Sequence, residues 1–161
     1  LVQLLLDGGG AVAGLAGGVG VALTMMVNGL TLDKKGFEND RDRLLDAIAK
    51  GNELKERFVD VMNRDSEVFD TLIESLAIDL CASLIGTTNP NVVSDLGIAA
   101  LTLKTAMQSA WLNVLINLKS LKDQEFADEC CRHGQELMDH AIPIAKASYK
   151  KVEALILEGS K

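Results

Sequence analysis

Aromatic side chains make up 4% of this 161-residue chain, and it has only two prolines. So few rings leave little for nucleic-acid bases to stack on. The charge balance points the same way: 16 basic residues against 23 acidic ones give a formal net charge of −7, with no basic excess to form a nucleic-acid-binding face. Cys81, Cys130 and Cys131 are an odd number of thiols and no disulfide framework, so reduced cysteines and a cytoplasmic location are expected. Alternating β-runs of useful length are missing. The opening LVQLLLDGGG has neither a basic n-region nor a small-residue cleavage site, so no signal peptide is expected. It also lacks an initiator Met, from which we expect further residues upstream.

What the chain does have is GGGAVAGLAGGVGVALTMMVNG, residues 8–29, without a single charge. About 20 apolar residues suffice to cross a membrane, but this stretch is rich in glycine and poor in the bulky residues that favour lipid. Read at helical spacing it has a small side (Gly10, Gly14, Gly17, Val21, Thr24, Asn28) and a bulky side (Val12, Leu15, Val19, Leu23, Met26, Leu30). A helix apolar all round is buried, and small residues one turn apart permit close backbone approach. The rest of the chain is charged and amphipathic, so a buried helix is preferred to a membrane anchor. A Walker loop is excluded, because no Lys-Ser/Thr follows the glycines. Gly8, Gly10 and Ala13 fit a dinucleotide fingerprint only loosely, with no βαβ pattern around them. The glycine-rich start leaves free N–H groups suited to an anion, with tight packing as the alternative use.

The remainder reads as helices. Residues 41–72 carry apolar side chains at helical spacing from Leu44 to Leu72. Residues 94–121 form a second long helix, capped by Ser94 or Asp95, and residues 124–158 a third, which Pro143 should kink or interrupt. The expectation is an all-α, multi-helix bundle of long antiparallel helices in one domain, residues 1–161. Between Leu96 and Leu118 the only charge is Lys104, so most of that helix needs covering. One small subunit has too little surface to cover both this helix and the glycine helix, which predicts a dimer. Asn113 and Asn117 continue the stripe Leu103, Ala106, Ala110; buried amides need partners, either within the bundle or on a ligand.

Five blocks, GGGAVAGLAGGVGVAL, MMVNGLT, KKGFE, NPNVVSDLGIAA and NVLINLKSLKD, together resemble the formiminotetrahydrofolate cyclodeaminase / methenyltetrahydrofolate cyclohydrolase family. This is the helical domain at the C-terminal part of formiminotransferase-cyclodeaminase. The resemblance covers most of the chain in the right order. It departs at Leu6-Asp7, where the family usually has Thr-Pro. It departs again between the Asp65–Phe69 region and Asn89, where the family usually has a few dozen more residues. Either this member is shortened or residues are missing from the sequence near 7/8 and within 69–80; the second is expected, because losing a helix from a packed bundle would expose core.

The resemblance implies an enzyme, either an ammonia-lyase or a C–N hydrolase. Cyclodeamination closes 5-formimino-tetrahydrofolate to the 5,10-methenyl form with loss of ammonia. Cyclohydrolysis opens that form with water to 10-formyl-tetrahydrofolate. Both pass through a tetrahedral carbon between two nitrogens and need proton transfers, which a carboxylate and a Lys or amide can supply. The family name favours cyclodeamination. No metal is expected, and no cofactor beyond the tetrahydrofolate substrate; Cys130, Cys131, His133 and His140 lack ligand spacing. The expected partners are a second copy, as a homodimer or higher even oligomer, with neither nucleic acid nor a membrane.

The candidate residues form two clusters. Asp33, Lys34, Lys35 and Glu38 follow the glycine helix, and Lys34, Lys35 and Glu38 map onto the family's basic segment. Asn91, Ser94 and Asp95 open the next helix. We assign Asp95, Lys34 and Lys35 as catalytic. Gly8, Gly9, Gly10, Asn28, Asp33, Glu38, Asn91, Ser94, Asn113 and Asn117 are assigned to substrate binding. Along a straight helix Asp95 and Asn113 stand roughly 27 Å apart. One subunit therefore cannot bring both to one pteridine unless the helix breaks; otherwise a site takes its two ends from different chains. A non-catalytic folate-binding dimer and a membrane-anchored bundle are the competing readings.

Overall fold

The computed structural model describes residues 9–32, 34–63, 70–119 and 121–158. Asp7, Gly8, Asp33 and residues 64–69 lie outside them. Five α-helices follow one another: α1 (Gly9–Leu32), α2 (Arg41–Asn63), α3 (Asp70–Leu84), α4 (Val93–Leu118) and α5 (Gln124–Glu158). Short 3₁₀ turns at Glu38–Asp40 and Pro90–Val92 lead into α2 and α4. No strand occurs among the described residues, as the all-α reading expects.

α1 and α4 form the centre, packed antiparallel. Glycine makes the close approach possible at Gly20, where a methyl group would run into the Leu103 side chain and, at 3.3 Å, the Ala99 carbonyl. α2 lies antiparallel along α1. Gly51 leaves room for the Met25 thioether, and Nδ2 of Asn28 donates to the Leu44 carbonyl at 2.8 Å. α5 closes the other side against α4 and α3, with Gly97 against Val152 and Gly134 against the Trp111 ring. The core joins Val21, Val27, Leu44, Ile78, Leu84, Leu96, Leu103 and Met107 from α1 to α4. α1 contains an 18-residue stretch, Leu15–Leu32, apolar enough to cross a membrane. Its Val21, Thr24, Val27, Asn28 and Thr31 are buried against the other helices, while Val19, Met26 and Leu30 on the opposite side are exposed.

Three local expectations are corrected. Residues 41–72 do not lie on one continuous rod: Arg41–Asn63 (α2) and Asp70–Leu84 (α3), which the periodicity did not separate, pack against each other, with Arg43 bonded to the Ser83 carbonyl. Pro143 does not interrupt α5. Both Pro143 and Asp139 are exposed, so the carbonyl left without its i+4 donor faces water. Neither Ser94 nor Asp95 caps α4. Its N-cap is Val92, without a side-chain bond, because the Pro90–Val92 turn feeds directly into the helix.

Candidate functional site

The loop between α3 and α4 is built from its own hydrogen bonds. α3 ends at Leu84, and Gly86 takes φ +89°, the left-handed position a glycine occupies just past a helix end. Thr87 and Thr88 turn their hydroxyls back to the Leu84 carbonyl at 3.0 and 3.2 Å. Asn89 comes next and organises the rest. Its N–H donates to the Thr31 hydroxyl of α1 at 3.0 Å. Its Oδ1 accepts from the Asn91 N–H at 3.0 Å and from the Lys34 ammonium at 2.5 Å. Pro90 starts the following 3₁₀ turn with its ring already at the required φ.

These contacts bring the two lysine- and asparagine-bearing clusters together across 55 residues of sequence. Beside them opens a cleft of about 530 Å³, lined among the described residues by Phe37, Gly86, Thr88, Pro90, Asn91, Val93, Leu155 and Ile156. Its walls are mainly apolar, with amide and hydroxyl groups from the loop. That combination suits a flat heterocycle with polar edges.

The candidates separate by position. Asn91 lines the cleft, and Lys34 stands half-buried behind Asn89. Lys35 and Ser94 are exposed nearby, and Asp95 lies half-buried one turn past Asn91. Glu38 folds back on its own turn: both carboxylate oxygens accept from the Gly36 N–H, at 3.0 and 3.1 Å. Bonds from its own backbone N–H and that of Gly36 hold its pKa below the usual carboxylate value. Asn28 is buried at the α1–α2 contact; its Nδ2 is bonded, while its Oδ1 has no hydrogen-bond partner. Asp33 and Gly8 are outside the described residues, and Gly9 and Gly10 open α1. Asn113 and Asn117 lie on the last two turns of α4, at the opposite end of the bundle. α4 does not break between Asp95 and Asn113, so within one chain these residues form two groups, roughly 27 Å apart.

Asn89, Thr31, Thr88 and Phe37 were not singled out from sequence. An Asn-Pro pair is a turn signal that pointed to Asn89; Thr31 carried no sign beyond its helical register. Among the described residues no three His, Cys, Asp or Glu side chains group as metal ligands would. His140 instead faces Asp79 at 3.1 Å.

A helical bundle with a cation-flanked, largely apolar cleft beside its central helix pair is the class of protein that fold and site define. The chain belongs to the formiminotransferase-cyclodeaminase family, whose model matches residues 6–79 and 75–136. It is 27% identical to the methenyltetrahydrofolate cyclohydrolase of Methylorubrum extorquens, covering 92% of this chain and 89% of that protein. The 186 aligned positions exceed the 161 residues here, so that relative carries residues this chain lacks. The two matched family segments meet at residues 75–79, within α3. The chicken formimidoyltransferase-cyclodeaminase is 25% identical over 83% of this chain; the match spans 32% of that longer protein. The crystal structure of formiminotetrahydrofolate cyclodeaminase from Thermotoga maritima shares the fold, with a TM-score of 0.72 at 24% identity over 94% of this chain and 88% of that one.

Proposed function

We propose that this chain is an enzyme of tetrahydrofolate one-carbon metabolism, acting on the carbon held between N5 and N10. The observation that carries this is the Lys34 ammonium fixed on Asn89 Oδ1 beside a cleft sized for a pteridine. Family membership supports the substrate class. Of the two reactions, cyclohydrolysis to 10-formyl-tetrahydrofolate has the firmer support, because the relative matched nearly end to end has that name. Cyclodeamination of 5-formimino-tetrahydrofolate, the reaction the family name favours, is the alternative.

In either direction Lys34 is the proton donor to the departing nitrogen, held for the task by Asn89. Asp95 takes the proton as the tetrahedral carbon forms, and Lys35 adds positive charge at the mouth. Asn91 bonds the pteridine edge. The stripe of exposed apolar residues on α4 (Ile98, Leu101, Leu112, Ile116) and those on α1 (Val19, Met26, Leu30) support association of two copies. Such a dimer supplies Gly9, Gly10, Asn113 and Asn117 of one copy to the Lys34 end of the other.

The test follows the absorbance of the methenyl chromophore, with 5,10-methenyl- and 5-formimino-tetrahydrofolate assayed in parallel. Loss of chromophore from the first identifies cyclohydrolysis, and its appearance from the second identifies cyclodeamination. A protein that binds folate and turns over neither is the non-catalytic folate-binding dimer instead.

A further inference from the structure

We propose that Lys151 is a binding residue of the cleft, taking a carboxylate of the substrate's glutamate tail and so fixing which way the substrate lies. The assignment rests on the folate reading above. Two lysines grip the loop that borders the cleft. Lys34 reaches Asn89 Oδ1 at 2.5 Å, and Lys151, from the last third of α5, reaches the Ile85 carbonyl at 3.0 Å. The residues between these anchor points, Gly86 and Thr88, line the cleft, as do Pro90 and Asn91 just beyond. One ammonium therefore stands at each end of the same short segment.

Neither lysine takes part in the ion pairs seen among the described residues, which are confined to Lys50–Asp46, Arg57–Glu53, Arg132–Glu136 and His140–Asp79. An ammonium has three N–H donors. The one bond found for each goes to a neutral oxygen, which leaves donors and a full charge for an anionic ligand. Both ammoniums stand on one margin of the cleft, Lys34 half-buried and Lys151 exposed, where an anionic group of a ligand can reach them. Gly86 sharpens the geometry. A Cβ there would sit 3.6 Å from the Lys151 Nζ, so the ammonium rests against a residue with no side chain to screen it. One turn further along α5, Leu155 and its neighbour Ile156 supply the apolar wall.

The substrate has a matching order of parts: a pteridine with the one-carbon bridge, an aromatic ring, then a glutamate. With the bridge at Lys34, the ring lies along Pro90, Leu155 and Ile156, and the tail reaches Lys151. Four Cα–Cα steps separate Ile85 from Asn89, so the two anchor residues stand at most about 14 Å apart, close enough for one substrate to reach both.

The experiment compares two stable probes by titration calorimetry: 5-formyl-tetrahydrofolate and the corresponding pteroate, which has no glutamate. The parent protein should bind the tailed probe about three- to tenfold more tightly, the range of an ion pair reinforced by hydrogen bonds at a partly exposed site. Lys151→Met should erase that preference while leaving pteroate affinity unchanged, and Lys151→Arg should restore it. On the turned-over substrate, Lys151→Met should raise KM by the same factor with kcat held. If Lys151→Met keeps the preference, or weakens both probes equally along with the melting temperature, Lys151 serves only to tie α5 to the end of α3 and the proposal is overturned. If the parent binds neither probe, the folate reading itself fails and takes this assignment with it.

Discussion

The Lys34 ammonium donates to Asn89 Oδ1 at 2.5 Å, and that one bond joins the turn after α1 to the turn before α4. Asn89 also receives the Asn91 N–H and gives its own N–H to Thr31. Removing either partner therefore has different consequences. Asn89→Ala breaks the side-chain bonds at a buried position and should cost about 1–2 kcal/mol in urea unfolding, with folate binding lost. Lys34→Met should cost under about 1 kcal/mol yet lower kcat/KM by about 10²-fold or more, as expected for a positioned proton donor. Equal, small effects of both on turnover would remove Lys34 from the chemistry.

Asp95 separates function from capping. It lies inside the first turn of α4 and does not cap it, so Asp95→Asn should leave the melting temperature within a few degrees of the parent. Its kcat should fall by about 10²–10⁴-fold. A loss under threefold on both folate substrates would reassign the base.

Gly134 faces the Trp111 ring with no room for a methyl group. The ring is stiff and wedged between α4 and α5, so Gly134→Ala should destabilise by about 1–3 kcal/mol. The control Gly29→Ala, where a Cβ meets nothing within 4 Å, should be neutral or stabilising through its helix propensity. Thermal melts followed by circular dichroism compare the two.

Cys81 predicts a pH dependence. Burial raises its thiol from 9.0 to about 11, and a hydrogen bond with Thr24 lowers it only in part. The unfolded thiol ionises near 8.5. Between those values the folded chain keeps a proton that the unfolded chain has lost, so stability falls as pH rises through that window. The contribution is complete below about pH 8.5 and is lost toward pH 11, on the order of 3 kcal/mol. Urea melts across this range should show a shallower decline for Cys81→Ala. A thiol reagent should label Cys130 and Cys131 in the native protein, and Cys81 only on unfolding.

The apolar stripe on α4 tests association. Leu112 and Ile116 are 67% and 61% exposed, so charging them costs a monomer nothing. Leu112→Glu with Ile116→Glu should turn a dimer into monomers by sedimentation at micromolar concentration, with turnover falling in step. A parent protein already monomeric there would rule out the two-chain site.

The all-helical architecture was legible from residue order. Helix content follows from local spacing, so α1, α4 and α5 emerged close to their actual limits. The separation of α2 from α3 did not, because amphipathic periodicity continues on both sides of residues 64–69. The two lysine and asparagine clusters were each visible as residue types beside a turn, and the family resemblance gave them a chemistry. Their meeting was decided only by tertiary structure. Thr31, Lys34 and Asn89 are scattered in sequence, and it is the antiparallel packing of α1 on α4, made close by Gly20, that sets the end of one beside the start of the other. Asn113 and Asn117 fall at the far end of the bundle because α4 runs uninterrupted from Val93 to Leu118. Lys151 left no trace in local pattern at all. On α5 it is one charged residue among many, and it acquires meaning only where the fold lays that turn against Ile85 and Gly86.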